Sequence, residues 1–175
     1  MKTTLTRTEM LDRWRLHRGF DIPHFNAGAS RTDGIDLDSI LAAEMDEWYA
    51  NLLHTAPVRH LAPVDIASSM ASAAGEGGVM RLNLGLSTVR VAAVRLSSWR
   101  RAATVVTDPS CRVAQNQLHP FTRASVHNPV AVFDPVGKTL ALYPCHSRSD
   151  RIVTLSVVEL HPDEFSFDSS ALSLI

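Results

Sequence analysis

The sequence is poor in lysine, in cysteine and in long apolar runs, and each shortage excludes a class of protein. It has only two lysines, Lys2 and Lys138, and a formal net charge of −1, whereas nucleic-acid-binding domains are usually strongly basic. Its two cysteines fit reduced thiols better than a disulfide framework. No window approaches the roughly 18 apolar residues of a membrane span, and charges interrupt the N-terminal region. We therefore expect a cytoplasmic protein that binds neither membranes nor nucleic acid.

Complete signatures of catalysis or metal binding are also missing. No Cys-x-x-Cys or His-x-x-x-His pair supplies two metal ligands from one element. There is no Gly-x-Ser-x-Gly elbow for a nucleophile, and Gly75-Glu-Gly-Gly78 follows a predicted helix, whereas a dinucleotide fingerprint follows a strand. We expect a protein that is not an enzyme, with no catalytic residues, no metal, no cofactor and no small-molecule substrate.

One region keeps an alternative open. Its thiols and imidazoles are the groups that zinc prefers: Cys111, His119, His127, Cys145 and His146. Cys145 and His146 are adjacent, however, so a strand would point them to opposite faces. A nucleophile could also be assembled from Cys145, His127 and Asp150, although such triads are recognised only by geometry. The alternative function is a small ligand-binding or enzymatic domain that uses the His119–His146 region.

The first third of the chain has helical periodicity. Thr6-Arg-Thr-Glu9 forms a capping box that predicts a helix over Arg7–His17. A second helix over Leu37–Leu53 is predicted by apolar residues at intervals of four, four, three and four. This stripe should bury Leu41, Met45 and Trp48 against the sheet. Pro63 fits the first position of a third helix that runs to Ala73.

After Gly78 the apolar period changes to two, which is typical of half-buried strands. The predicted strands are Met80–Leu86, Val89–Leu96, Arg101–Val106, Val130–Phe133, Lys138–Tyr143 and Ile152–Leu160, with a short helix from Asp108 to Gln117. Asp134-Pro-Val-Gly137 predicts a hairpin turn. The expected fold is α+β, with N-terminal helices packed on a mainly antiparallel sheet. We expect a single domain over residues 1–175, with a helical part to about 75, a β-rich part over about 79–160 and a polar tail from 161.

Charge is distributed unevenly along the chain. The segment from Asp33 to Glu47 carries six acidic residues and no basic one, whereas seven arginines lie between Arg81 and Arg123 against a single acid, Asp108. One interpretation is two solvated faces, since mixed surface charge is normal. The other is that one copy's acidic helix meets another copy's basic strands. The candidate interface residues are then Arg95, Trp99, Arg100 and Arg101 on one side and Asp38, Asp46 and Glu47 on the other.

Hydrophobic patterns in the β-rich part resemble those of a known family. The first is the run from Leu84 to Trp99, an apolar strand that enters a turn with tryptophan. The second is the run from Asn128 to Pro144, which ends in Leu-Ala-Leu-Tyr-Pro and precedes the strand Ile152–Val158. With Glu47-Trp48-Tyr49 near the end of the second predicted helix, these runs resemble phage head–tail connector (adaptor or neck) proteins.

This resemblance implies a structural assembly protein without catalytic activity. A connector subunit would be encoded by a prophage, would assemble into a virion and would form a ring under the portal. Its partners would be further copies of itself and other virion or portal-type proteins. The chain departs from the family pattern at Leu86-Ser-Thr-Val89, where such proteins often carry Leu-Pro-x-Asp before the strand.

Overall fold

A computed structural model describes residues 1–19, 37–70, 77–146 and 150–174. The chain forms two compact units. The first comprises Met1–Ala62 and Leu160–Ile175, and the second comprises Pro63–Glu159. Each unit has its own sheet structure. That the whole chain acts as a single domain stays a prediction. Within the described ranges, no helix is long and apolar enough to cross a membrane.

The described residues of the first unit form two helices and two strands. Strand β1 spans Lys2–Thr6, helix α1 spans Arg7–His17, helix α2 spans Leu37–Thr55, and the last strand of the chain, β9, spans Glu164–Asp168. The predicted capping box is present: Thr6 Oγ1 accepts from Glu9 N–H, and Glu9 Oε2 accepts from Thr6 N–H at 2.9 Å. The prediction of α1 is therefore confirmed from Arg7 to His17. Short 3₁₀ turns lie at Val58–His60 and Ser169–Leu174.

Helix α2 begins where the stripe predicts and ends two residues later than expected. Leu41 and Met45 are buried, as predicted, but Trp48 is only half-buried. The neighbouring Tyr49 takes the buried position instead, with ring centroids 4.8 Å from Phe165. The prediction for Trp48 is confirmed in part, because its ring lies edge-on to Phe167 of β9 with centroids 6.1 Å apart. The fully buried line instead continues from Met45 to Tyr49, four residues later, and then to Leu52 and Leu53.

The antiparallel pair β1–β9 was not predicted. Lys2 lies opposite Asp168, and Thr6 lies opposite Glu164. Phe165 and Phe167 are both buried on one side of β9, as expected for alternate residues of a strand. The tail predicted as polar from residue 161 therefore supplies a strand of this unit and the aromatic surface on which Tyr49 packs.

The second unit is rich in strands. Its strands are β2 (Val64–Asp65), β3 (Met80–Asn83), β4 (Thr88–Leu96), β5 (Thr104–Val106), β6 (Val130–Asp134), β7 (Thr139–Tyr143) and β8 (Ile152–Glu159). They form one sheet in the order β2-β8-β4 and another in the order β3-β7-β6-β5. Every pairing is antiparallel except β5–β6. The fold is α+β.

Most predicted strands of this unit are confirmed within two or three residues. The hairpin β6–β7 turns at Asp134–Gly137 as predicted, and Asp134 Oδ1 accepts from Val136 N–H at 2.9 Å. The predicted helix from Asp108 is shorter than expected: α3 spans Arg112–Gln115, and a 3₁₀ turn at Asn116–Leu118 follows. Asp108 accepts from Ser110 N–H in a local turn, so Cys111 is the N-cap instead and the helix begins at Arg112.

The predicted third helix over Pro63–Ala73 is wrong for its described part. Val64 pairs with Val157 at the edge of β8, and a 3₁₀ turn at Ala67–Ser69 follows. Asp65 explains the difference, because its Oδ1 accepts from Ala67 N–H at 2.9 Å and from Leu155 N–H at 3.1 Å. The side chain thus closes a local turn and binds the edge strand, which competes with helix formation. Residues 71–73 lie outside the described ranges.

Candidate interaction surface

Four exposed arginines surround one end of the β4–β8 pair. After β4 ends at Leu96, the chain turns and returns, because Ala103 N–H donates to Val94 C=O at 2.9 Å. This return places Arg95, Arg100 and Arg101 at the ends of one short loop, and all three are exposed. The structure therefore brings together the three arginines that the sequence selected as contact residues.

The fourth arginine, Arg151, was missed by the sequence reasoning. Ser97 N–H donates to Arg151 C=O at 2.9 Å, and Arg151 N–H donates to Ser97 Oγ at 3.1 Å. The sequence predicts the two strands but not their pairing, which sets Ile152 at the start of β8 opposite Leu96 at the end of β4. Residues that flank two such ends must be neighbours. Arg95, Arg100, Arg101 and Arg151 are called the arginine cluster below.

Trp99 belongs to the core and not to the surface. Its side chain is 1% exposed, and its Nε1–H donates to Pro144 C=O at 2.7 Å. This corrects the expectation that Trp99 is an interface residue, since a buried ring has no face to offer a partner. Its physical role is to attach the loop that carries Arg100 and Arg101 to the core of the second unit.

The guanidinium groups of the arginine cluster have no hydrogen bond or ion pair within the described residues. Asp150, the residue before Arg151, is a buried carboxylate, 5% exposed, whose Oδ2 accepts no hydrogen bond from the residues that the structure describes. An exposed set of like charges repels itself and gains from an opposite charge brought close to it. Because arginine presents a planar array of donors, carboxylates and phosphates are the groups that fit it best.

Unlike the arginines of the cluster, several acidic side chains of α2 are already paired within the chain. Their partners are arginines of α1 and Arg18, the residue that follows α1. Arg7 binds Asp46 through two bonds, Nη2–Oδ2 at 2.6 Å and Nη1–Oδ1 at 3.1 Å. Arg15 pairs with Asp38, and Arg18 pairs with Glu44 at 2.7 Å. The hydrogen bond to Asp46 raises the pKa of Arg7, and the hydrogen bond to Asp38 raises the pKa of Arg15.

These pairs change what α2 can offer to another copy. Asp38 and Asp46 could bind a second chain only in competition with the arginines of their own chain. Such exposed pairs are weak, each contributing about 0–1 kcal/mol, so exchange of partners costs little. Glu47, the third acidic residue predicted for this surface, is exposed and pairs with no described residue. That α2 is the surface opposite the arginines stays a prediction.

The cysteine and histidine residues of the alternative site are not gathered in one place. His119, His127 and His146 are exposed, whereas Cys145 is buried. Cys111 has a local role, because its Sγ accepts from Ala114 N–H at 3.5 Å where α3 begins. No disulfide joins the two cysteines. Within the described residues, no group of three or more His, Cys, Asp or Glu side chains is placed to hold a metal ion.

We therefore expect the purified protein to contain far less than one zinc ion per chain. A chelator should leave the melting temperature unchanged, because metal that binds only the folded state would raise it. Elemental analysis by mass spectrometry and a thermal melt with and without chelator measure both quantities. One zinc per chain that survives dialysis would contradict this prediction and favour the His119–His146 region as a site.

No model of a known protein family matches the chain, and no curated protein sequence matches it either.

Proposed function

We propose that this protein is a structural assembly subunit that binds further copies of itself and portal-type proteins, in the manner of a phage head–tail connector. It has no catalytic role in this proposal, and it works in the cytoplasm or as part of a virion. The observation that carries the proposal is the arginine cluster, whose exposed guanidinium groups pair with no described residue of the chain. The resemblance of the runs 84–99 and 128–144 to connector proteins supports it.

A ring requires a heterologous interface, in which one surface of a subunit binds a different surface of the next. The arginine cluster supplies a basic surface, and α2 with Glu47 supplies an acidic one. Complementary charges of this kind raise association rates and select partners, and their effect decreases with salt. Connector-type subunits are often monomeric until a portal organises them, so self-association of the isolated chain is expected to be weak.

The first test changes the sign of the cluster. We expect Arg100→Glu with Arg101→Glu to reduce self-association about tenfold or more in low salt, since rim charges act mainly on encounter and salt dependence. Exposed charges are screened within about 8 Å at physiological ionic strength, so the difference should shrink in high salt. Analytical ultracentrifugation at high protein concentration, with and without a candidate portal ring, measures it.

The matched control reverses two exposed arginines outside the cluster, Arg13→Glu with Arg81→Glu, and changes the net charge equally. Equal association of the native protein, the cluster variant and the control would overturn the proposal. So would absence of association by the native protein even with the portal ring present. A third contrary result is salt-dependent binding of duplex DNA that the cluster variant loses, since that would assign the arginines to phosphate. Genes for portal or terminase proteins next to this gene would support assembly independently.

A further inference from the structure

The connection between β5 and β6 carries an aromatic side chain that is wholly exposed. Parallel strands cannot be joined by a tight turn, so residues 107–129 make a long crossover between Val106 and Val130. Phe121 on this crossover is 101% exposed, and Leu118 nearby is 62% exposed. A single exposed leucine needs no explanation, but phenylalanine is enriched in protein interfaces relative to the rest of the surface.

The crossover around Phe121 is held by its own hydrogen bonds. Gln117 is buried, and its amide donates to Val113 C=O at 2.8 Å and accepts from Ala124 N–H at 2.9 Å. Arg123 Nε donates to Gln117 C=O at 2.9 Å, and Thr122 Oγ1 donates to Asn116 C=O at 2.7 Å. The segment is thus organised on both sides of Phe121, which lowers the entropy lost when the ring binds a partner.

The first unit contains a cavity of suitable size and lining. Its volume is about 380 Å³, and it lies between α2 and the segment that precedes β9. Apolar and aromatic side chains form most of its surface: Tyr49, Ala50, Leu160, Pro162 and Phe165. The Arg7–Asp46 pair also lines it, and Arg7 Nη1 donates to Pro162 C=O at 3.3 Å. A phenyl ring fits such a space and finds aromatic neighbours there.

The charges around the two features are opposite. From Pro109 to Pro129 the chain has two arginines and two histidines and no acidic residue. Around the cavity, Arg7 and Asp46 line the wall as a bound pair, and Asp163 is close enough to help raise the pKa of Arg7 after the larger effects of Asp46. Two further acidic residues are exposed and adjacent in sequence to lining residues: Glu47 follows Asp46, and Glu164 precedes Phe165. A positively charged crossover is therefore attracted to the rim of this cavity.

We propose that Phe121 of one copy binds in the α2 cavity of a second copy and anchors the contact between them. This inference rests on the proposed function, and it names the apolar part of the same interface. On each surface of the proposed contact, the charged part and the apolar part are adjacent. Arg100 N–H donates to Val126 C=O at 3.0 Å, which joins the arginine cluster to the crossover, and the cavity is lined by residues of the acidic helix α2.

The decisive experiment uses two variants that each remove one side of the contact. Phe121→Ala removes the anchor, and Ala50→Trp fills the cavity from α2. Each variant alone should associate about tenfold or more weakly than the native chain, as expected when an anchor residue is lost. A one-to-one mixture should restore a dimer, because the Phe121→Ala chain still has its cavity and the Ala50→Trp chain still has Phe121. Assembly of the mixture should stop at the dimer, because the dimer keeps neither a free Phe121 nor an open cavity.

Analytical ultracentrifugation with one variant labelled measures the mixed species. A peptide of residues 117–123 provides a second measurement that does not depend on the folding of Ala50→Trp. We expect this peptide to bind the native chain and the Phe121→Ala chain, and its Phe→Ala analogue not to bind. The apolar anchor should persist in high salt, so Phe121→Ala should weaken association at both salt concentrations, unlike the arginine reversal.

The possible failures are distinguishable. If the arginine reversal weakens association and Phe121→Ala does not, this inference is wrong and the proposed function stands. If the mixture of variants forms no dimer and the peptide does not bind, the cavity is not the partner of Phe121. If the native chain never associates, alone or with a portal ring, both proposals are overturned together.

Discussion

Replacement of Trp99 by alanine is expected to lower the free energy of unfolding by about 3–5 kcal/mol, the range for removal of a large core aromatic side chain. The ring is 1% exposed and packs in the core of the second unit, which also contains Phe133 and Leu96. The substitution leaves a cavity and also removes the donor to Pro144 C=O, which is 2.7 Å from Nε1. Urea denaturation followed by circular dichroism measures the loss.

Trp99→Phe separates the two causes. Phenylalanine keeps most of the apolar volume but has no N–H, so we expect a smaller loss of about 1–3 kcal/mol from the unpaired carbonyl. A loss below about 1 kcal/mol for the alanine variant would show that the ring is not a core residue.

The elements that could be predicted are those specified by local sequence. The start of α1 depends on Thr6 and Glu9, which are three residues apart, and both bonds of the capping box form. The β6–β7 hairpin depends on a four-residue turn between two apolar runs. In both cases the interacting groups are near in sequence, so the pattern alone contains the necessary information.

The β1–β9 pair could not be predicted because it joins the two ends of the described chain. Lys2 and Asp168 have no local pattern that relates them. The strand β1 reads Lys-Thr-Thr-Leu-Thr and buries only Leu5, so its alternation is barely visible. In β9 the alternation of Phe165 and Phe167 with polar residues was visible, but a strand of five residues with an acidic residue at each end gives little reason to expect a partner strand.

The candidate site was only partly visible in the sequence for a related reason. Exposure of Arg95, Arg100 and Arg101 follows from their charge, since unpaired arginines are rarely buried. Tryptophan is common both in cores and in interfaces, so its type did not decide the position of Trp99. The pairing of Asp38 and Asp46 with Arg15 and Arg7 depends on how α1 packs on α2, which periodicity does not specify.

Replacement of Tyr49 by alanine is the second change with a large expected effect, again about 3–5 kcal/mol. Tyr49 is 2% exposed, and its ring contacts Phe165 and Phe167 of β9. Its hydroxyl accepts from Ser166 N–H at 2.9 Å and donates to Ser166 C=O at 3.3 Å. The phenol therefore satisfies both backbone polar groups of Ser166 in β9. Burial raises the pKa of this hydroxyl, so it stays protonated and able to donate.

Two further variants test the role of the hydroxyl group and the role of the position on the helix. Tyr49→Phe keeps the ring and leaves the Ser166 amide and carbonyl without their partner, which should cost about 1–3 kcal/mol. Trp48→Ala, one residue earlier on the same helix, removes a larger but half-buried ring and should cost less than Tyr49→Ala. Chemical denaturation gives all three values. If Trp48→Ala proves more destabilising than Tyr49→Ala, the buried line of α2 runs through Trp48, and the placement of Tyr49 against β9 is wrong.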